Sequence, residues 1–383
     1  MTVVRLARAD RSIEDYRLGT FPTVQARTGT PRSRVVYAAA HVVADPLGDP
    51  VGTSAIDWEA TLAFRHHLWR IGFGVAEAMD TAQRGMGLGV DDVRILIERS
   101  LAEAASVGGA VVCGVTTDDL SGGGHSLSTI EASYLDQVGF VQERGGAVVL
   151  MASRALAATA GGPDYYARMY GRVLDELDRP AVIHWLGPMF DPALDGYWGS
   201  RDPYAAMHNM VEIISAHADR VDGVKVSMLD EALECELRRT LPPGVRCYTG
   251  DDFNFPTLIA GDGSHHSDAL LGIFDGIAPV AMSAFHALDD GDVEGFHRIL
   301  APTLPLSRHI FETPTYHYKT GLTFLAYLNG HQRHFRMLGG QEGARSIIHL
   351  SQLVRLADAA GLFSDPEAVA ARLRPLLSTA GID

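Results

Sequence analysis

A lysine stands alone inside the apolar run "DGVKVSML", residues 222–229. Of the 32 basic residues counted as Lys plus Arg, only Lys225 and Lys319 are lysines. Flanked by Val224 and Val226, Lys225 reads as part of a buried strand, where its amine has to shed water. A free lysine titrates at about 10.4, and desolvation lowers that value by favouring the neutral amine. A neutral amine adds to a ketone or aldehyde and expels water, leaving an iminium that draws electrons from the neighbouring carbon. Carbon–carbon cleavage, condensation and dehydration beside the carbonyl then become accessible. The competing reading is a structural ion pair with Asp251 or Asp252, because lysine is seldom buried unpaired. Lys319, in "TPTYHYKTGL", is the rival amine, set among aromatics and ranked below Lys225.

His184, in "PAVIHWLGP", is the second candidate for chemistry. An imidazole titrates near neutrality, so it can accept and return a proton as an iminium forms and collapses. A histidine bonded to a backbone carbonyl is the equal alternative. Further polar groups fall at the ends of the predicted strands: His41, Asp80 with Thr81, Thr116 and Thr117, Ser153 with Arg154, Ser227, Asp251 with Asp252, and Asp275. Asp80, Thr81, His41, Ser153, Asp252 and Asp275 are the substrate-binding candidates, the aspartates suiting the hydroxyls of a polyol. Strand ends meet solvent, however, and collect polar residues without any such role. His41, Asp80 and His184 are also ligand types for a divalent ion. A metal-dependent barrel isomerase or lyase is therefore the alternative reading. No HExxH or comparable spacing supports it, so no metal ligands are assigned and the expected cofactor is none beyond a lysine imine. A third reading is a non-catalytic barrel that binds a small ligand.

These residues need a frame. Short apolar runs alternate with helical patterns along the chain: 34–43, 75–80, 109–117, 147–153, 180–188, 222–229, 245–252 and 269–276 as strands. Between them, 58–74, 90–106, 164–178, 202–220 and 278–300 carry the 3.6-residue apolar period of helices. Eight strands alternating with helices imply parallel pairing, and near-continuous apolar runs suit strands covered on both faces. No GxGxxG follows the first strand, which disfavours an open dinucleotide-binding sheet. The expected fold is α/β, a (β/α)8 TIM barrel over 34–300, with an N-terminal arm over 1–33 and C-terminal helices over 301–383 packed on the barrel. In such a barrel the C-terminal strand ends carry the chemistry.

Composition narrows the partners. A net charge of −15 argues against wrapping a polyanion or an anionic membrane surface. Neither nucleic acid nor membrane is expected, and no stretch has the length of a membrane span. Three cysteines without CxxC spacing read as reduced thiols of a cytoplasmic protein.

With those residues in place, the chain resembles the dihydrodipicolinate synthase / N-acetylneuraminate lyase superfamily of class I aldolases and hydro-lyases. "DGVKVSMLDE" is similar to the sixth-strand segment that supplies the Schiff-base lysine, and "YTGDDFNFPTLIAGDGS" to the seventh-strand stretch. "GIFDGIAPVAMSAFHALDDGDVEGFHRIL" matches the eighth strand and its helix, and "TPTYHYKTGL" sits where a Pro-x-Pro-x-Lys segment usually comes. The resemblance implies a lyase acting on a small carbonyl compound, a sugar-derived keto acid or keto-sugar, in a homodimer or tetramer. Two departures bear on the substrate. "MDTAQRG" stands in for Gly-Thr-Thr-Gly-Glu, so only Thr81 of the pyruvate grip is kept and Asp80 would repel a carboxylate. "VIHWLGP" places His184 where a proton-shuttling tyrosine is usual.

Overall fold

The computed structural model describes residues 2–22, 27–49 and 55–382; the expected arm and barrel also run over 23–26 and 50–54, which lie outside the described residues. Among the described residues, ten strands are present. The first two, β1 (Thr2–Ala7) and β2 (Ile13–Leu18), pair antiparallel as a hairpin. The other eight close a parallel barrel: β3 (Val36–Ala39), β4 (Gly74–Glu77), β5 (Val111–Val115), β6 (Ala147–Leu150), β7 (Ala181–Leu186), β8 (Val221–Ser227), β9 (Arg246–Thr249) and β10 (Asp268–Leu271), with β10 bonded to both β3 and β9. The expected (β/α)8 TIM barrel is therefore the fold. Alternation along each strand sends one set of side chains into the lumen, where Ala39, Ala76, Val112, Val149, Val182, Tyr248 and Leu270 pack together. Neighbouring residues such as Val224, Val226, Ile183 and Trp185 face the helices.

Helix α1 (Trp58–Ile71) begins where the Asp57 carboxylate accepts the Ala60 N–H at 3.0 Å. It presents Phe64 and Leu68 to the barrel and carries Arg65, which is fully buried. Arg65 makes paired bonds to Glu77 of β4, at 2.9 and 3.0 Å, and also bonds the carbonyls of Thr61 and His41. Ser100, on α2 (Val90–Val107), donates to the same carboxylate at 2.5 Å. This network fixes the end of β4, from which Asp80 and Thr81 follow.

One expectation needs correction, and two features add to the reading. The last predicted strand, 269–276, ends at Leu271; Phe274 opens the helix α9 (Phe274–Asp289), so Asp275 lies in a first helical turn. Helix α3 (Leu127–Glu143) was not anticipated. The N-terminal arm is a hairpin that bonds the C-terminal helices: the Ala7 N–H donates to Ser351, and Tyr16 and the Gly19 N–H donate to Asp358. Both partners are on α13 (Ile347–Ala359), between α12 (Tyr318–Leu328) and α14 (Pro366–Thr379). Among the described residues, no helix is long and apolar enough to cross a membrane.

Candidate active site

Lys225 points into the lumen at the C-terminal end of β8 and is 7% exposed. It lines a narrow cleft with Asp80, Thr81, Phe190, Ser227, Asp252, Phe311 and Tyr318. Among the described residues its amine has no hydrogen-bond or ion-pair partner, although Asp80 and Asp252 act on it through space. Burial pulls its pKa down from the ordinary lysine value, and those two carboxylates pull it part of the way back. Burial likewise pushes the Asp252 carboxyl up, while its Oδ1 accepts the Ile273 N–H at 2.9 Å. Both members of this pair are held towards their neutral forms.

The backbone makes room for the amine. A Cβ on Gly250, just beyond β9, would lie 2.2 Å from Ser227 Oγ and 3.0 Å from Lys225 Cε. On the other side, Ala78 adopts a φ of 53°, turning the chain out of β4. A left-handed alanine costs roughly 1–2 kcal/mol; here the Ala78 N–H bonds Glu77 at 2.9 Å. The turn delivers Asp80 and Thr81 to the cleft mouth.

His184 stands opposite Lys225 in the β7–β8 register and is fully buried. It does not line the cleft. Its Nε2 is 3.2 Å from the hydroxyl of Ser227, which does, and its Nδ1 has no partner among the described residues. Burial, aided by Lys225, pushes its pKa well below the ordinary histidine value, so the ring is neutral. Thr81 donates or accepts a 2.9 Å bond with the Tyr318 hydroxyl. Tyr318 stacks on Phe311 at 4.4 Å, and burial raises its pKa well above the usual tyrosine value. The sequence reading missed Tyr318 and Phe311 because both belong to the C-terminal segment, expected to pack outside.

The other candidates are engaged elsewhere. His41 bonds Asp275 through Nδ1 at 2.8 Å and Gln332 through Nε2 at 3.2 Å, and its own N–H also reaches Asp275. Neither His41 nor Asp275 lines the cleft. Ser153 caps α4 (Arg154–Thr159) by accepting the Leu156 N–H and shares a 2.6 Å bond with Thr117. The alternative metal set of His41, Asp80 and His184 is not assembled: among the described residues, the one group of three ligand types drawn together is His309, Glu312 and His349.

Asp80 and Leu186 line a second, larger cavity of about 330 Å³, whose walls include Thr116, Thr117, Arg84, Asp118, Arg154 and Asp191. The cleft at Lys225 has free space of only about 10 Å³. That is about the room one water needs, so the bulk of any ligand belongs in the larger cavity. Apart from Asp80, its charges are matched: Arg84 pairs with Asp118 at 2.6 Å, and Arg154 with Asp191 at 2.6 Å. Lys319 is buried behind Tyr318, donating to the Tyr316 carbonyl at 3.1 Å. Burial lowers its pKa to about 8 against the pull of Asp80 and Asp191. Both lysines of the chain thus feel Asp80.

A family model described as a protein of unknown function, DUF993, matches residues 4–382. The chain belongs to that family. No curated protein matches it at a significant level. Among solved structures, dihydrodipicolinate synthase from Thermotoga maritima superposes with a TM-score of 0.64 at 15% identity, covering 87% of this chain and 100% of that one. The enzyme from Bacillus clausii gives 0.63 at 13% identity over 85% and 98%. That from Aquifex aeolicus gives 0.60 at 14% over 91% and 98%. The likeness is one of fold, and at that level the relationship expected from the sequence is present.

Proposed function

We propose that this protein is a class I lyase that captures a small polar carbonyl compound on Lys225. The observation that carries the reading is an amine desolvated at the barrel mouth, without a bonded partner among the described residues, beside a polar cavity. The neutral amine adds to the carbonyl carbon, and a proton passes from its nitrogen to the new hydroxyl. A further proton delivered to that hydroxyl lets it leave as water and gives the iminium. The Thr81–Tyr318 hydroxyl pair lies at the cleft wall to carry that proton. His184, neutral and linked to the cleft through Ser227, is a positioning group behind it. The electron sink then assists cleavage or dehydration at the adjacent carbon.

Substrate choice follows from charge. Asp80 stands between the amine and the larger cavity and disfavours a carboxylate beside the reacting carbonyl. Threonine hydroxyls and matched ion pairs suit a neutral polyol chain, so a keto-sugar fits better than a 2-oxo acid. Incubation with a panel of keto-sugars and 2-oxo acids plus borohydride, followed by peptide mass mapping, tests the proposal. A reduced adduct at Lys225, absent from Lys225→Met, is the expected result. Adducts confined to Lys319, or none with any member of the panel, would overturn it.

A further inference from the structure

Outside both cavities at Lys225, two helix ends bring a separate set of side chains together. His309 is in the last turn of α11 (Thr303–Ile310), Glu312 follows it, and His349 is in the first turn of α13. One ligand atom from each lies within 4.8 Å of the others. The histidine rings stack, with centroids 3.9 Å apart. From this we infer that His309, Glu312 and His349 form a binding site for one divalent transition-metal ion of the zinc type.

The hydrogen bonds argue for it. His309 Nε2 is 2.9 Å from the His349 carbonyl oxygen, which can only accept, so that nitrogen carries the proton. In the neutral ring, Nδ1 is then a bare lone pair, and it faces Glu312 Oε2 at 3.3 Å. Two acceptors confront each other unless a second proton or a cation lies between them. His349 Nδ1 is 2.9 Å from the other carboxylate oxygen, Oε1. A metal-bound histidine commonly donates its remaining N–H to a backbone carbonyl, which fixes the tautomer; His309 already does so. Among the described residues His349 Nε2 is buried without a partner, so no such bond resists a small ring rotation.

Two imidazoles and a carboxylate are a ligand set that zinc and its neighbours accept. Zinc holds such ligands at about 2.0–2.2 Å, so the three groups must draw inward from their present spread. The three side chains line a cavity of about 490 Å³ together with Arg8, Glu14 and Arg355. The ion would tie α11 to α13, the helix on which the N-terminal hairpin rests.

The untagged full chain, stripped with chelator and dialysed, is titrated with Zn²⁺ by calorimetry and with Co²⁺ by visible absorption. One equivalent of Zn²⁺ and the d–d bands of a low-symmetry Co²⁺ site are expected. His309→Ala and Glu312→Gln should each weaken Zn²⁺ binding by about 100-fold or more, since even outer partners of a metal site are worth 10–100-fold. Should His309→Ala fail to fold, Glu312→Gln carries the test, as that side chain is 48% exposed. Absence of stoichiometric binding, or binding that Glu312→Gln leaves unchanged, would overturn the inference.

Discussion

Desolvation, rather than a neighbouring cation, depresses the basicity of Lys225, and the two carboxylates nearby work against it. That ordering has a measurable sign. With only two lysines in the chain, side-chain NMR of lysine-labelled protein contains two titrating signals. Both midpoints should lie below the ordinary lysine value, with Lys319 at about 8. Asp80→Asn removes a charge that favours the ammonium form in each, so both midpoints should move to lower pH. An upward movement, or none, would show that Asp80 does not act on the amines. The hydroxyl pair is tested separately. Tyr318→Phe deletes the partner of Thr81, and a general acid–base group is worth about 10²–10⁴-fold. Turnover of any substrate found by trapping should fall within that range, while borohydride still yields the Lys225 adduct. Lys225 was legible from residue type and neighbours alone, because a lone cation in an apolar run has few explanations. Tyr318 was not: its approach to Thr81 depends on how the C-terminal segment folds back, which no local pattern records.

Elements were read well where their periodicity was strong and poorly where a turn decided the outcome. The eight barrel strands stood out as apolar runs because both of their faces are covered. Asp275 looked like a strand end because Leu270, Leu271, Ile273 and Phe274 form one apolar run, but the chain becomes helical inside it. Helix α3 had a readable stripe in Ile130, Tyr134, Val138 and Val141, capped by Ser126, so its signal was present. The hairpin's alternation is legible only in β1, where Val4 and Leu6 are buried, because β2 carries mainly polar residues. What holds β4 in place is the Arg65–Glu77 pair, invisible to periodicity because both groups are buried and charged. Removing one partner of such a pair costs about 3–5 kcal/mol by leaving the other uncompensated. Glu77→Ala should therefore lose about that much stability in urea unfolding. A loss below about 1 kcal/mol would mean that Arg65 is satisfied by the carbonyls of His41 and Thr61 alone.

At the scale of the whole chain, the ends are stitched to one another and to the barrel. The hairpin bonds α13, while the segment before and through α12 supplies two aromatic walls of the cleft. A consequence reaches beyond catalysis. The two lysines are 7% and 4% exposed, so the folded surface offers almost no primary side-chain amines. A protease that cuts only after lysine finds one target at the barrel mouth and the other buried in α12, and gains access only when the structure opens. With trypsin, cleavage after exposed arginines such as Arg8, Arg32 and Arg201 would obscure that event. Under conditions where opening is rapid, lysine-specific proteolysis reports the open population directly. Full-length chain should persist under native conditions and disappear along the urea unfolding curve. Early cutting at Lys319 alone would instead reveal that the C-terminal wall lifts away independently of the barrel.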